Sequence, residues 1–330
     1  MHIIDKAAHF PGQHCASTGI RNLVNFHGFN WSEEICFGIG AGLGIWYLSF
    51  PGVSPSRLIH VRSEDIETQF FKRIGFPFQW EQYEDPAASE QAVIDKLKDG
   101  LPVMLQTDIF YLPYYNSKTH FPGHVITAWG YDLKERWFLI SDTEREDFIK
   151  VSFDDMRKAR YTDFGFFQSR GNFFAPEKLD CPKDIAPVIR KAIADNSSAL
   201  LNSATEFSGL VALEKWEQEL QNWAEFKDWN WTARFTYQVI ERRGTGGGGF
   251  RLLYSRFLEE AAACLPQIEL LGLSGMMREV ASAWTELAEA LKIASEKETF
   301  EFEIVKPKLR QLNKLETAYH HQAVKLVETR

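Results

Sequence analysis

Apolar positions recur along this chain in two periods, and the switch between them divides it. Ile20, Leu23 and Val24 fall on one helical face with Gly28 as a stop, so the lead-in Phe10-Pro11-Gly12 puts Cys15 on a first helical turn. Asn30 to Glu33 has capping-box spacing, with Asn30 as cap. Ile66, Phe70, Phe71 and Ile74 form a short amphipathic helix ended by Gly75, and Glu90 to Lys98 forms another before Gly100. The period then shortens. Pro102 to Thr107, Phe110 to Tyr115, His124 to Tyr131, Trp137 to Ser141 and Phe148 to Val151 are β-rich runs broken by turn signals. Phe153 to Arg160 returns to helix, and Gly165 to Phe174 reads as a closing strand.

Past Ala175-Pro176 and Pro182 only helical periodicity remains, over Ile185 to Leu201, Val211 to Arg243, Phe250 to Leu271, Met276 to Ser295 and Phe302 to Thr329. The pattern predicts an α+β chain. Residues 1–176 pack helices on an antiparallel sheet, and residues 177–330 form an all-α bundle. Between Phe37 and Tyr47 glycine occupies alternate positions from Gly38 to Gly44, which implies close backbone approach, here expected against the Cys15 helix.

Composition narrows the function. At 330 residues, 45% hydrophobic and 25% charged, the chain can build a real core, and a net charge of −8 argues against a nucleic-acid groove. The first residues lack the features of a secretory signal, and no apolar stretch reaches membrane-spanning length. Cys15, Cys36, Cys181 and Cys264 are scattered without CxxC pairing, as expected of free thiols in a reducing cytoplasm.

Cys15, His124 and Asp142 make a chemical constellation. A cysteine at a helix N-terminus is favoured as thiolate by the unpaired N–H groups and the helix dipole. His124 opens one apolar strand and Asp142 ends the next. In a hairpin the two meet, with His124 taking the thiol proton and Asp142 fixing its tautomer. The oxyanion would be held by the Cys15 N–H and a second donor, for which His9, Gln13 and His14 are candidates.

Several motifs make a resemblance specific. They are Gln13-His14-Cys15-Ala16-Ser17-Thr18, Ser32-Glu33-Glu34 with the glycines to Gly44, Asp108-Ile109-Phe110-Tyr111-Leu112-Pro113-Tyr114, His120-Phe121-Pro122-Gly123-His124, Gly130-Tyr131-Asp132 and Ser141-Asp142. Together they resemble the N-terminal domain of the butirosin-biosynthesis acyltransferase family (the BtrH type), and Arg243-Gly244-Thr245-Gly246-Gly247-Gly248 with Phe250-Arg251 extends the resemblance into the helical half. The resemblance implies a papain-like fold with nucleophile, base and acid at Cys15, His124 and Asp142. It also implies transfer of an acyl group from a carrier-protein thioester to an amine.

Other features weigh less. Gly244 to Gly249 satisfies GxGxxG but follows a helix, so it reads as a helix–helix connection; beside Arg242, Arg243 and Arg251 it could still bind a carboxylate or phosphate. His120 and His124 have HxxxH spacing across Pro-Gly, which precludes a helical zinc motif; His120 reads as a pocket wall or a substrate contact. Asp108 with Tyr111, Tyr114 and Tyr115 could line an amine pocket, or form an aromatic strand with a turn aspartate. His320-His321 is expected to face solvent. The expected activity is acyl transfer through a Cys15 thioester, without cofactor or metal, from a carrier-protein or coenzyme A thioester to a small-molecule amine. A cysteine peptidase or amidohydrolase with the same triad and a non-catalytic binding protein are the alternatives. The pattern leaves the oligomeric state open.

Overall fold

The computed structural model describes residues 1–164 and 167–327. In chain order the elements are β1 (His2–Ile3), α1 (Cys15–Phe26), α2 (Glu33–Ile39), β2 (Leu43–Ser49), β3 (Arg57–Arg62), α3 (Ile66–Arg73), α4 (Pro86–Lys98), β4 (Val103–Thr107), β5 (His124–Asp132), β6 (Trp137–Ser141), β7 (Ile149–Ser152) and α5 (Phe153–Arg160). After them come β8 (Asp163–Phe164), β9 (Phe167–Gln168), β10 (Phe173–Phe174), α6 (Ala186–Leu201), α7 (Gly209–Glu219), α8 (Trp229–Glu241), α9 (Arg251–Ala261), α10 (Gln267–Leu270), α11 (Leu273–Ser295) and α12 (Phe302–Ala323). The chain is α+β, with an antiparallel sheet and a helical C-terminal region. Among the described residues no helix is long and apolar enough to cross a membrane.

The chain separates into two compact units, residues 1–36 with 74–181, and residues 37–73 with the chain from Pro182 onward. The division expected at 176/177 does not include this excursion. The β2–β3 hairpin carries residues 37–73 into the helical unit, because its backbone and side chains find their partners there. Asn196 accepts from Leu43 N–H at 3.2 Å and donates to Leu43 O at 2.8 Å, and the Trp223 indole donates to Tyr47 Oη at 3.0 Å. The alternate glycines serve this unit as well. A Cβ on Gly38 would lie 2.3 Å from the Phe257 ring, and one on Gly44 would lie 2.1 Å from Arg62 O, so the close approach is not against the Cys15 helix.

In the first unit the sheet order is β10-β4-β5-β6-β7, antiparallel throughout, with β1 added on β5. Val93, Leu97, Leu105, Ile126, Phe138, Ile140, Phe153 and Met156 join β4–β6, α4 and α5 in one buried core. α1 packs on the sheet through Gly19, where a Cβ would stand 3.0 Å from Val125 Cγ1 and 3.1 Å from Met104 Sδ. Asn22 secures the contact, donating to Thr127 Oγ1 at 3.3 Å and Ser141 Oγ at 3.2 Å.

Four expected elements differ. Phe110 to Tyr115 is not a strand but two 3₁₀ turns, Ile109–Tyr111 and Pro113–Tyr115, because Asp108 caps the first and Pro113 starts the second. Val211 to Arg243 is broken into α7, a 3₁₀ stretch and α8, and Phe250 to Leu271 into α9 and α10. The expected closing strand is present only in pieces, and its Gly165 and Phe166, like Thr329 at the end of the last expected helix, lie outside the described residues.

Candidate active site

Cys15 is the first residue of α1 and is partly exposed. His14 caps the helix with its side chain, accepting from the Ser17 N–H. A second acceptor comes from outside the helix. The buried Glu33 carboxylate accepts Gln13 N–H at 2.9 Å, His14 N–H at 2.7 Å and the Ser17 hydroxyl at 3.0 Å. The turn before Cys15 is wrapped so closely around this carboxylate that a Cβ on Gly12 would lie 2.0 Å from Thr18 Oγ1 and 2.7 Å from Glu33 Oε2. Burial raises the Glu33 carboxyl above its ordinary range, and the donors around it oppose the rise. Arg21 reaches back from α1 to the carbonyls of Phe10 and Pro11, and Gly12 N–H donates to Thr143 O at 2.6 Å, next to Asp142. Backbone and buried charge thus hold the cysteine loop from both sides.

His124 and Asp142 meet as the hairpin implies. With Thr127 opposite Ser141 in the β5–β6 ladder, the strand ends bring His124 Nε2 to 2.8 Å from Asp142 Oδ1. The ring also interacts with Cys15, through a side-chain hydrogen bond that links the two residues. Since Nε2 is committed to Asp142, Nδ1 is the nitrogen left for sulfur. Burial disfavours charge on His124, but the Asp142 carboxylate beside it and the hydrogen bonds to Asp142 and Cys15 outweigh this, pushing its pKa up to about 10. Asp142 is buried too, yet His124, Tyr114 and the Thr143 N–H hold its carboxyl down at about 2. The pair is therefore biased toward imidazolium and carboxylate.

Two tyrosines complete this arrangement. Tyr114 Oη donates to Asp142 Oδ2 at 2.6 Å, and Tyr115 Oη lies 3.2 Å from His124 Nε2. Arg145 sits over both rings, 5.6 Å from each centroid. The sequence leaves these tyrosines as either pocket lining or an aromatic strand; the turn started by Pro113 brings their consecutive hydroxyls to one His–Asp pair. Glu33, read as a helix-capping acid, was misassigned for a similar reason. Ser32 opens α2, accepting Ile35 N–H at 3.0 Å, so Asn30 does not cap it and Glu33 turns to the other helix.

The remaining candidates separate. His14 is buried and gives its backbone N–H to Glu33, and the half-buried Gln13 spends its own backbone N–H the same way, so neither backbone group serves as the second oxyanion donor. Asp108 is fully buried and saturated, with Oδ1 accepting from Phe110 and Phe121 N–H and Oδ2 paired with His120 Nδ1 at 2.7 Å, so it does not attract an amine directly. Burial opposes its charge, but His120 and the backbone donors hold its pKa below the ordinary value. Tyr111 is half-buried and its ring edge meets the His120 ring at 5.8 Å.

Arg243 and Arg251 lie in the other unit. Arg243 is exposed, donating to Gln238 at 3.0 Å. Arg251 is fully buried, with Nε on Glu316 at 2.8 Å and Nη1 on the carbonyls of Val61 and Gly249 at 2.8 Å, so it is a core ion pair and not a ligand contact. His320 is buried as well, bonded to Glu316 and Ser197 at 3.0 Å, and does not face solvent. The glycine loop is packed: Gly248 has φ +57°, and a Cβ there would lie 2.9 Å from Ala281 O. Among the described residues no group of three or more His, Cys, Asp or Glu side chains could hold a metal.

With this geometry in place the sequence can be compared with known families. Residues 14–143 match the family of butirosin biosynthesis protein H, N-terminal, and residues 154–323 match a domain of unknown function (DUF4872). The chain belongs to the BtrH-type family. The first match begins one residue before Cys15 and ends one residue after Asp142, so all three candidate residues lie inside the BtrH-type domain. Among curated proteins none matches the chain. The family name ties this BtrH-type protein to biosynthetic chemistry of a secondary metabolite.

Proposed function

We propose that this BtrH-type protein is a cysteine acyltransferase that takes an acyl group from a thioester onto Cys15 and passes it to an amine. The reading is carried by one observation: a partly exposed thiol at a helix N-terminus is hydrogen-bonded to a histidine whose other nitrogen is held by a buried carboxylate. The order of cysteine on a helix, histidine on a strand and acid on the adjoining strand is the arrangement we infer to be papain-like. Helix dipole and imidazolium both favour the thiolate. Its sulfur attacks the thioester carbonyl, the new C–S bond forms, and the donor's C–S bond breaks as the tetrahedral intermediate collapses. In this reading the Cys15 N–H, at the first turn of α1, holds the oxyanion. A carrier-protein or coenzyme A thioester suits this site as donor, because thioesters need little activation.

The experiment is acylation followed by mass. The protein is incubated with short acyl-coenzyme A thioesters, and peptide mass locates the acyl group. Label on Cys15 that is absent in Cys15→Ala and His124→Ala, and that chases to product only when an amine is added, supports transfer. Loss of label to water at the same rate without amine would make the protein a hydrolase.

A further inference from the structure

Asp108 and His120 sit at the two ends of one loop, and that loop carries both tyrosines of the site. β4 ends at Thr107 and β5 begins at His124, directly opposite it in the ladder, so residues 108–123 leave the sheet and return to the same point. Antiparallel neighbours need only about two to five linking residues. The extra length is used at the His124–Asp142 pair. Tyr114 Oη donates to Asp142 Oδ2 at 2.6 Å, Tyr115 Oη lies 3.2 Å from His124 Nε2, and the Phe121 ring stands 6.4 Å from that of His124.

What holds the loop is concentrated at its root. The fully buried Asp108 carboxylate accepts from both ends: Oδ1 takes Phe110 N–H at 3.0 Å on the outgoing side and Phe121 N–H at 2.9 Å on the returning side, and Oδ2 takes His120 Nδ1–H at 2.7 Å. Thr162 Oγ1 donates to the same carboxylate at 3.2 Å, and Asp108 N–H is given to Ala159 O at 2.7 Å, which ties the root to the end of α5. The His120 ring is stacked between Phe110 and Phe164, with centroids at 4.1 and 4.4 Å, so its N–H keeps its direction. Midway, Leu112 is fully buried in the core under the sheet. With root and middle fixed, the turn Pro113–Tyr115 presents its two phenols to one place. We propose that Asp108 and His120 are positioning residues, a clasp that sets Tyr114 and Tyr115 on the His124–Asp142 pair and acts on Cys15 only through those phenols. The role rests on the reading of Cys15 and His124 as the reacting pair. Opening the clasp withdraws the Tyr114 donor from Asp142 and the Tyr115 hydroxyl from His124, so the thiolate–imidazolium pair persists only to a higher pH.

The test follows Cys15 alkylation by iodoacetamide against pH, with the labelled cysteine located by peptide mass. Asp108 is too deeply buried for a first variant, whereas the His120 side chain is 23% exposed. His120→Leu removes the donor. His120→Asn carries an N–H where the ring has Nδ1 and can still donate to Asp108. In His120→Leu we expect the acid limb to move up by about one pH unit, a rate about tenfold lower along that limb, and His120→Asn should restore most of it. In Tyr114→Phe/Tyr115→Phe, whose limb is already displaced, adding His120→Leu should change nothing further. A wild-type limb in His120→Leu would overturn the clasp. So would the same displacement with the phenols already absent, since His120 would then act by another route, and so would failure of Asn to rescue. If wild-type Cys15 itself alkylates as an ordinary thiol and His124→Ala leaves it unchanged, the reacting-pair reading fails and the clasp falls with it.

Discussion

The Tyr114 hydroxyl donates to Asp142 Oδ2 at 2.6 Å, on the side of the carboxylate away from its shortest contact with His124. The acid of the site is thereby fixed by groups from two directions, and a phenol contributes part of what keeps it ionised. Tyr114→Phe keeps the ring and removes the donor, so the Asp142 carboxyl should titrate higher. The acid limb of Cys15 alkylation by iodoacetamide should then move to higher pH, because the imidazolium depends on the carboxylate. We expect a stability loss of about 1.5–3 kcal/mol, as for a hydrogen bond to a charged group. An unmoved acid limb would mean that the hydroxyl does not support Asp142.

The pH dependence of stability follows from the same pair. His124 is raised from 6.5 to about 10, so the folded state binds a proton that the unfolded chain has released between those values. Its contribution is complete below the unfolded value and is lost as pH rises through about 10. Asp142, lowered from 3.8 to about 2, contributes above its unfolded value and loses that contribution as pH falls through about 2. Between pH 7 and 10 the wild-type unfolding temperature should therefore fall more steeply than that of His124→Asn, compared by calorimetry in matched buffers. Parallel slopes would show that His124 is not held protonated.

How far the sequence discloses the site depends on which interactions are local. The positions of Cys15, His124 and Asp142 follow from helix period, strand alternation and hairpin geometry, each readable over a few residues. The role of Glu33 is not, because its donors come from an earlier turn and its spacing imitates a cap for its own helix. Tyr114 and Tyr115 read as strand because aromatic runs favour β-structure, and Asp108 capping a 3₁₀ turn overrides that preference. In the helical half the period locates the helices but not the excursion of residues 37–73, whose partners, such as Asn196 for Leu43, lie far along the chain.

Glu33 gives a prediction for the cysteine loop. Its Oε1 alone is within 3.1 Å of the Gln13 N–H, the His14 N–H and the Ser17 hydroxyl. Glu33→Gln nearly keeps the volume but replaces one acceptor oxygen by a donor, facing groups that are themselves donors. A loss of about 1–3 kcal/mol is expected in urea unfolding. Gly12→Ala should act on the same contacts from the other side, since its Cβ would displace Thr18 Oγ1 and the Glu33 carboxylate. In the double variant the losses should be less than additive, because both substitutions disturb one cluster. Full additivity would indicate that the two residues act independently.

The buried arginine of the helical unit supplies the last prediction. Arg251 pairs with Glu316 at 2.8 Å and also donates to the carbonyls of Val61, Gly249 and Gly44. Glu316 in turn accepts from the Trp284 indole at 2.6 Å and bonds His320 at 3.0 Å. Arg251→Met strands a buried carboxylate and the carbonyls at once, so the unfolding free energy should drop by about 3–5 kcal/mol. Arg251→Lys restores the charge but not the planar fork, since one ammonium cannot reach acceptors spread around a guanidinium. It should recover only part of the loss. If Arg251→Met/Glu316→Leu is more stable than either single variant, the single losses come mainly from leaving one buried partner uncompensated. If the double variant is instead as unstable as Arg251→Met, the carbonyl bonds that anchor β2, β3 and the glycine loop carry the stability.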